Sequence, residues 1–342
     1  MIRKNNMYLL LSFCLLIQGC RSSDGPLAIP ADALVITGGV IIDSTGGPPL
    51  TDCSVIIAKD TITAVEKTAR CVFPDSVRFL DAAGGTVLPG IINAHVHHAA
   101  SAEVRKAFLK EGVTSVCDLG SSWKEIEEGI AEENTESAAR FFYAGPIVTA
   151  PGGYPDGLYG TSGFNCEVAG PEEGRNAVKQ ILERGAQMIK IALDPSWNRE
   201  SPLPMLDTET AAAIAAEAHA RNVLVRAHMI QLSCFPMAVK AGIDVIEHMP
   251  FPPGWPEEDE KKQALKSSDP YALFFTDMYP QYGPLLSSMA ANGMMMVPTV
   301  SALIGNFFDD PEPNIHRQFV MRMVLEMIRR FREAGGIIAV GN

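Results

Sequence analysis

At 342 residues, 47% of them hydrophobic, the chain exceeds one ordinary domain and can bury a large core. Its formal net charge of −12, with no basic stripe, argues against a nucleic-acid partner and reads mainly as solubility. Seven cysteines without a Cys-x-x-Cys pair give no support to a thiolate zinc site.

Residues 1–20 have the build of a targeting segment. Arg3 and Lys4 form a positive start, and Tyr8 to Ile17 form an apolar run too short for a comfortable membrane span. The run ends Leu16-Ile17-Gln18-Gly19-Cys20, which resembles a bacterial lipoprotein signal. That resemblance implies that Cys20 becomes the lipid-bearing first residue, anchored in a membrane of the bacterial cell envelope, on its periplasmic or extracellular face. The alternative is an ordinary signal peptide cut nearby, and the protein is exported either way. Export permits disulfides. With Cys14 removed and Cys20 used, Cys53, Cys71, Cys117, Cys166 and Cys234 remain, so at least one thiol is free. Cys53 and Cys71 flank a predicted hairpin and are read as either bridged or both free.

Residues 21–32 read as a tether. Strand-like runs follow at Ala33–Ile42, Ser54–Ala58, Thr61–Glu66 and Val77–Leu80, with Lys59-Asp60 as a hairpin turn. They are too few to close a sandwich and need partner strands. From Val87 the rhythm becomes alternating strand and helix. Apolar runs at Ile91–Val96, Thr114–Leu119, Phe141–Ala144, Met188–Leu193, Val223–Met229, Val245–Met249, Met294–Val300 and Ile337–Val340 predict eight strands. Helical patterns are clearest at Ala102–Lys110, Glu172–Arg184, Asp207–Arg221 and His316–Arg332. Eight such units predict an α/β fold with a parallel sheet closed into a (β/α)8 TIM barrel. An open doubly wound sheet is the competitor, but no Gly-x-Gly-x-x-Gly follows the first strand.

The chemistry lies in polar residues set inside these apolar strands. His95 and His97 are two apart, so on a strand they project from one face and make half of a metal site. Lys190 interrupts the fourth strand, His228 closes the fifth and His248 the sixth. All lie toward C-terminal strand ends, the face on which such barrels place their active sites. Four of the seven histidines share that placement, which chance explains badly. A buried lysine has a lowered pKa and becomes a nucleophilic amine. Reaction with carbon dioxide would make it an anionic carbamate able to bridge two cations, and a salt bridge to an acid such as Asp194 is the structural alternative.

Leu88-Pro89-Gly90-Ile91-Ile92-Asn93-Ala94-His95-Val96-His97 resembles the first-strand motif of the amidohydrolase superfamily, in its imidazolonepropionase-like and prolidase-like branch. Residues Gly112–Gly120, Gly185–Ile191 and Ile246–Met249 resemble the second, fourth and sixth strand motifs, so the resemblance spans Asp32 to Asn342. It implies that His95 and His97 hold a first metal, that His228 and His248 hold a second, and that Lys190 bridges both as a carbamate. Two zinc ions are the leading cofactor, with iron, manganese and cobalt compatible with the same ligands. The family's eighth strand ends in an Asp, and this sequence stops at Gly341-Asn342, where that Asp would come next. The expectation is therefore a fragment of a longer protein.

Weaker readings complete the list. Tyr154, after Gly152-Gly153, and Arg226, on the same face as His228, are candidate substrate-binding residues; Arg226 is equally readable as an ion-pair partner of Asp118. His98 points away from the metals, and His219, His316 and Glu217 are surface or packing residues on helices. The domain reading is a signal at 1–20, a tether at 21–32, the N-terminal part of a small β-sandwich at 33–86 and the barrel at 87–342. The functional reading is a metal-dependent hydrolase of an amide-type C–N bond in a small molecule or dipeptide. Its alternatives are a mononuclear hydrolase or deaminase of the same superfamily, or an inactive ligand-binding lipoprotein. A homo-oligomer is compatible with either.

Overall fold

Parallel strands covered on both faces need nearly continuous apolar sequence, and the chain beyond Gly90 supplies it. The computed structural model describes residues 25–131, 137–156, 163–196, 201–249, 258–267, 280, 282–305, 312 and 314–342. The predicted signal at residues 1–20, with Cys20, lies outside the described residues. The chain divides into two compact units, up to Pro89 and from Gly90 onward. Among the described residues no helix is long and apolar enough to cross a membrane.

The first unit is made of β1 (Leu27–Ala28), β2 (Leu34–Thr37), β3 (Val40–Ile41), β4 (Cys53–Ala58), β5 (Thr61–Lys67), β6 (Cys71–Val72), β7 (Arg78–Asp81) and β8 (Thr86–Val87). A four-stranded sheet runs β5-β4-β2-β7, and β1 pairs with β6 and β3 with β8. The β4–β5 hairpin turns where Lys59 adopts φ +54°, at the predicted Lys59-Asp60. The fold starts earlier than the predicted tether allows. Leu27 and Ala28 pair with β6, and Ile29 is buried beside Val35 and Ile56, because three apolar residues there find a partner surface. Cys53 and Cys71 carry free thiols, so of the two readings the unbridged one describes the structure.

The second unit alternates strands with helices. Its strands are β9 (Ile91–Val96), β10 (Val113–Asp118), β11 (Arg140–Tyr143), β12 (Ile147–Thr149), β13 (Asn165–Glu167), β14 (Ile189–Ala192), β15 (Val225–His228), β16 (Val245–Glu247), β17 (Met295–Val297) and β18 (Ile337–Ile338). Regular ladders arrange them as a three-stranded sheet, β11-β10-β9, and a seven-stranded sheet, β13-β12-β14-β15-β16-β17-β18, all parallel. Single backbone bonds run between the two. Gln187 N–H donates to the Tyr143 carbonyl at 3.1 Å, Ala94 N–H to Val340 O at 2.7 Å and Asn342 N–H to His95 O at 3.1 Å. The predicted third strand corresponds to β11, while β12, just past Gly145-Pro146, and β13 were not predicted.

The helices α1 (Ala102–Lys110), α2 (Trp123–Ala131), α3 (Pro171–Glu183), α4 (Thr208–His219), α5 (Phe235–Ala241), α6 (Glu258–Lys266), α7 (Tyr282–Ala291), α8 (Val300–Ile304) and α9 (Ile315–Glu333) lie between strands. Their starts follow capping chemistry. Ser101, Asp207 and Asn314 accept the N–H groups of Glu103, Thr210 and Arg317, and Pro171 opens α3 with Glu172 and Glu173 in its first turn. Buried Val178, Ile181, Ile214 and Ala218 of α3 and α4 join Ile189, Ile191, Val225 and Ala227 of the sheet in one core. That core holds the strand ends, and with them the polar side chains described next.

Candidate active site

His95, near the end of β9, and His97, just past it, face one way because Asn93, His95 and His97 alternate. His95 Nδ1 lies 2.6 Å from Glu247 Oε2, and His97 Nδ1 lies 3.5 Å from the Gly120 carbonyl oxygen. A carboxylate and a carbonyl only accept, so each Nδ1 holds the proton and donates it. In the neutral rings each Nε2 is then left with a lone pair, and the two Nε2 atoms are 3.2 Å apart. Facing lone pairs at that separation repel unless a cation lies between them. Two imidazoles on one tetrahedral zinc, with bonds of about 2.0–2.1 Å, place their nitrogens about 3.3 Å apart. The pair therefore fits a shared divalent cation.

The other predicted ligands gather around it. His228, at the end of β15, has its ring centroid 4.6 Å from that of His248, which in turn is 4.9 Å from that of His95. His248 follows β16 at φ +70°, the left-handed region, so strand alternation breaks and Glu247 and His248 both reach this site. Its Nδ1 is 2.7 Å from Thr299 Oγ1. His228 Nε2 is 3.1 Å from Asp194 Oδ2 but too poorly aligned for a hydrogen bond, and it has no hydrogen-bond partner. Lys190, 1% exposed within β14, is likewise buried with Nζ unpartnered. The salt bridge to Asp194 is not formed, because that carboxylate accepts the N–H groups of Ser196 and Ile230. Among the described residues no three His, Cys, Asp or Glu side chains form a ready cage. The fit to a metal rests instead on the two facing imidazoles and the orphaned nitrogens of Lys190 and His228.

Tyr154 and Arg226 occupy different situations. The Tyr154 ring stacks on His228 with centroids 3.9 Å apart and planes at 12°, which sets it at the site. Arg226 Nε donates to Glu247 Oε1 at 2.6 Å and Nη2 to the Ala94 carbonyl at 2.7 Å. It is placed as a buried brace rather than as a free binder of a substrate carboxylate. Asp118 is not its partner, since it accepts the N–H groups of Ala99 and Gly120 and the Ser121 hydroxyl. His98 turns outward at φ +56° to Glu125, 3.3 Å away, and His219 meets Asp244 at 2.8 Å on the surface. Glu217 pairs with Arg221, and the side chain of His316 lies outside the described residues.

Burial sets the electrostatics. It holds His95 and His248 well below the ordinary histidine range and lowers His228 as well, with neighbouring Lys190 adding to each depression. His97, the most exposed of the four, is still pushed down to about 4, first by burial and then by Lys190. Lys190 falls to about 7, again chiefly through burial, with Glu247 opposing. Near neutral pH the site thus presents neutral imidazoles and an amine with a reactive neutral fraction, the protonation states that ligands require.

Sequence reasoning missed Glu247, Thr299 and the Gly120 carbonyl, and it offered Asp194 only as a partner for Lys190. Glu247 carried a usable signal, since a carboxylate in the apolar run Val245–Met249 is as anomalous as Lys190 in its own strand. Regular alternation would set Glu247 and His248 on opposite faces, and the left-handed His248 breaks it. Gly120 sits where any Cβ would press on the Ile147 side chain and on His97 Cε1, at 3.0 and 3.3 Å.

Ochratoxinase from Aspergillus niger is 24% identical over 276 residues, covering 65% of this chain and 55% of that protein. A dihydroorotase from Anaeromyxobacter dehalogenans is 28% identical over 171 residues, 46% of this chain and 39% of the other. The chain thus spans about half the length, or less, of these curated relatives. Among solved structures, A. niger ochratoxinase superposes with a TM-score of 0.66 at 19% identity, covering 91% of this chain and 76% of that one. A prolidase crystallised with N-methylphosphonate-L-proline does so with a TM-score of 0.66 at 23% identity, covering 91% and 78%. At such identities the likeness shows a shared fold. The sequence profile of the amidohydrolase family matches residues 86–260, a stretch that holds every imidazole of the site together with Lys190, and the chain belongs to the amidohydrolase family.

Proposed function

We propose that the chain carries the catalytic machinery of a divalent-metal-dependent hydrolase that breaks an amide-type C–N bond in a small molecule or dipeptide. The observation that carries this reading is the 3.2 Å approach of His95 Nε2 and His97 Nε2, the nitrogens their Nδ1 partners leave without a proton, with an unpartnered Lys190 close enough to lower both rings' pKa values. His95, His97, His228 and His248 would hold the metal, two zinc ions being the leading candidate, and Lys190 would bridge them as a carbamate. Once bound, the metal supplies Lewis acidity toward a substrate carbonyl and toward water. The chain's own residues do the positioning. Gly120 O and Glu247 orient the imidazoles of His97 and His95, Thr299 orients His248, and Tyr154 presents an aromatic face beside His228 for a substrate. Similar proteins named ochratoxinase and prolidase support an amide substrate class.

The scaffold we read for this chemistry is a closed (β/α)8 barrel, the β-rich first unit being part of a small β-sandwich. Supporting the barrel are the bonds from Ala94 and His95 to residues 340–342 and from Gln187 to Tyr143, which link the edges of the two parallel sheets. Export with lipid at Cys20 is proposed from the Leu16–Cys20 run alone. Fatty-acid labelling should mark the wild type and miss Cys20→Ser, and equal labelling would remove the anchor.

The test of the catalytic reading is metal content against turnover. Purified protein should release amine from a panel of dipeptides and N-acyl amino acids only when loaded with zinc. Lys190→Ala should lose both metal and turnover, and metal plus bicarbonate should restore apo-enzyme better than metal without carbon dioxide. Lys190→Ala with two metals per chain and near-normal turnover would overturn the binuclear reading.

A further inference from the structure

We infer that Glu247, itself oriented by Arg226, is a positioning residue that locks His95 in the tautomer whose free Nε2 faces His97. The inference deepens the proposed metal site and rests on that reading for its consequence, though not for its geometry.

The two oxygens of the Glu247 carboxylate are divided between two donors. Oε1 takes Arg226 Nε at 2.6 Å, and Oε2 takes His95 Nδ1 at 2.6 Å. The carboxylate is 0% exposed, so water cannot stand in for either partner. Arg226 is itself fixed by Nη2 on the Ala94 carbonyl at 2.7 Å and Nη1 on Met188 Sδ at 3.6 Å. Ala94 immediately precedes His95, so the brace is anchored on the strand that carries its target.

The logic is one of donors and acceptors. A guanidinium has five N–H donors and no acceptor, so whatever faces Arg226 must accept. A carboxylate accepts on both sides and therefore also draws the proton of His95 to Nδ1. A carboxamide of the same shape cannot do this. In Glu247→Gln the amide oxygen must turn to Arg226, which aims the NH2 group at His95 Nδ1. That nitrogen must then accept, the proton moves to Nε2, and the lone pair facing His97 is lost. Removing Arg226 as well frees the carboxamide to turn its oxygen back to His95.

The experiment uses the full chain and Zn2+ alone as probe. Zinc affinity is measured by competition with a chromophoric chelator, and the His95 tautomer of the metal-free protein by long-range 1H–15N NMR. The wild type should show the proton on Nδ1. Glu247→Gln should show it on Nε2 and bind zinc about 10–100-fold more weakly, the range typical of lost ligand-orienting partners. Arg226→Met in the Glu247→Gln background should regain affinity to within a few-fold of wild type, a rescue that a merely structural carboxylate would not produce. If the single variant does not fold, the double variant, which buries no charge at these two positions, decides alone by keeping or losing zinc. Glu247→Gln with wild-type affinity and the proton still on Nδ1 overturns the lock, as does a double variant that binds no better than the single one. A wild type that binds no zinc yet keeps its proton on Nδ1 overturns the metal reading and supports the lock.

Discussion

The ammonium of Lys190 lies among apolar strands with no hydrogen-bond partner, and burial brings its pKa from 10.5 to about 7. At about 1.4 kcal/mol per unit, that drop is a folding penalty of a few kcal/mol at neutral pH. The sign follows from proton counting. Between pH 7 and 10.5 the unfolded chain holds the proton more tightly than the folded one, so stability rises with pH across that window. Lys190→Met removes the penalty, and metal-free Lys190→Met should therefore melt several degrees above metal-free wild type at pH 7. The gap should shrink toward pH 10, as read by calorimetry at both pH values. Equal melting temperatures at pH 7 would mean that the amine finds a partner the structure does not contain.

At the scale of elements, the strands fix where side chains can stand and the loops fix what stands opposite them. The segment after β12 brings Tyr154 onto His228 by way of Gly153, where a Cβ would collide with Thr149 Oγ1 and the carbonyls of Ala150 and Pro204. Gly153→Ala must move that segment and lift the tyrosine ring. The expected result is a loss of roughly 10–100-fold in kcat/KM with zinc content unchanged. Simultaneous loss of zinc would show that the loop supports the imidazoles instead. A control lies far from the site: Asp207→Ala removes the cap on Thr210 N–H and should cost about 1 kcal/mol of stability in urea without touching turnover. The same division explains what the sequence made legible. The strands bearing His95, His97, Lys190 and His228 could be read because a polar residue in an apolar run is conspicuous and alternation assigns its face. Glu247 was conspicuous in the same way, but its face could not be assigned, because His248 at φ +70° suspends the alternation. Arg226 was given the wrong ion-pair partner, Asp118, because its actual mate, Glu247 on the neighbouring strand, had not been placed. Strand β13 and the start of the fold at Leu27 escaped because two or three residues carry too little periodicity to register.

Across the whole molecule, the four site imidazoles share one direction of shift, and that gives the protein an acid limit. His95, His97, His228 and His248 are all held below 6.5, mainly by burial, with His97 at about 4. As pH falls below 6.5 the unfolded chain takes up protons first, so their contribution is fully present above 6.5 and is lost as pH drops toward 4 and beyond. Asp118, raised by burial, works in the opposite direction, but it is one group against four. The urea midpoint of metal-free protein should therefore fall steadily from pH 7 to pH 5. Saturating zinc should raise it at pH 7, because a ligand that binds only the folded state stabilises it. A flat midpoint over that range would contradict the burial of these rings.

The bonds from β9 to the last residues have a consequence in time. Asn93 Nδ2 donates to Asn342 Oδ1 at 2.6 Å, across 249 positions, beside the backbone bonds from Ala94 to Val340 and from Asn342 to His95. At a synthesis rate of about 5–20 residues per second, those partners emerge roughly 10–50 s after the strand that needs them. Throughout that interval one edge of β9 has no neighbour, and strands awaiting distant partners fold slowly and invite pairing with other chains. The His-x-His strand is among the first parts of its unit to be made, and one of its edges waits for partners made 249 positions later.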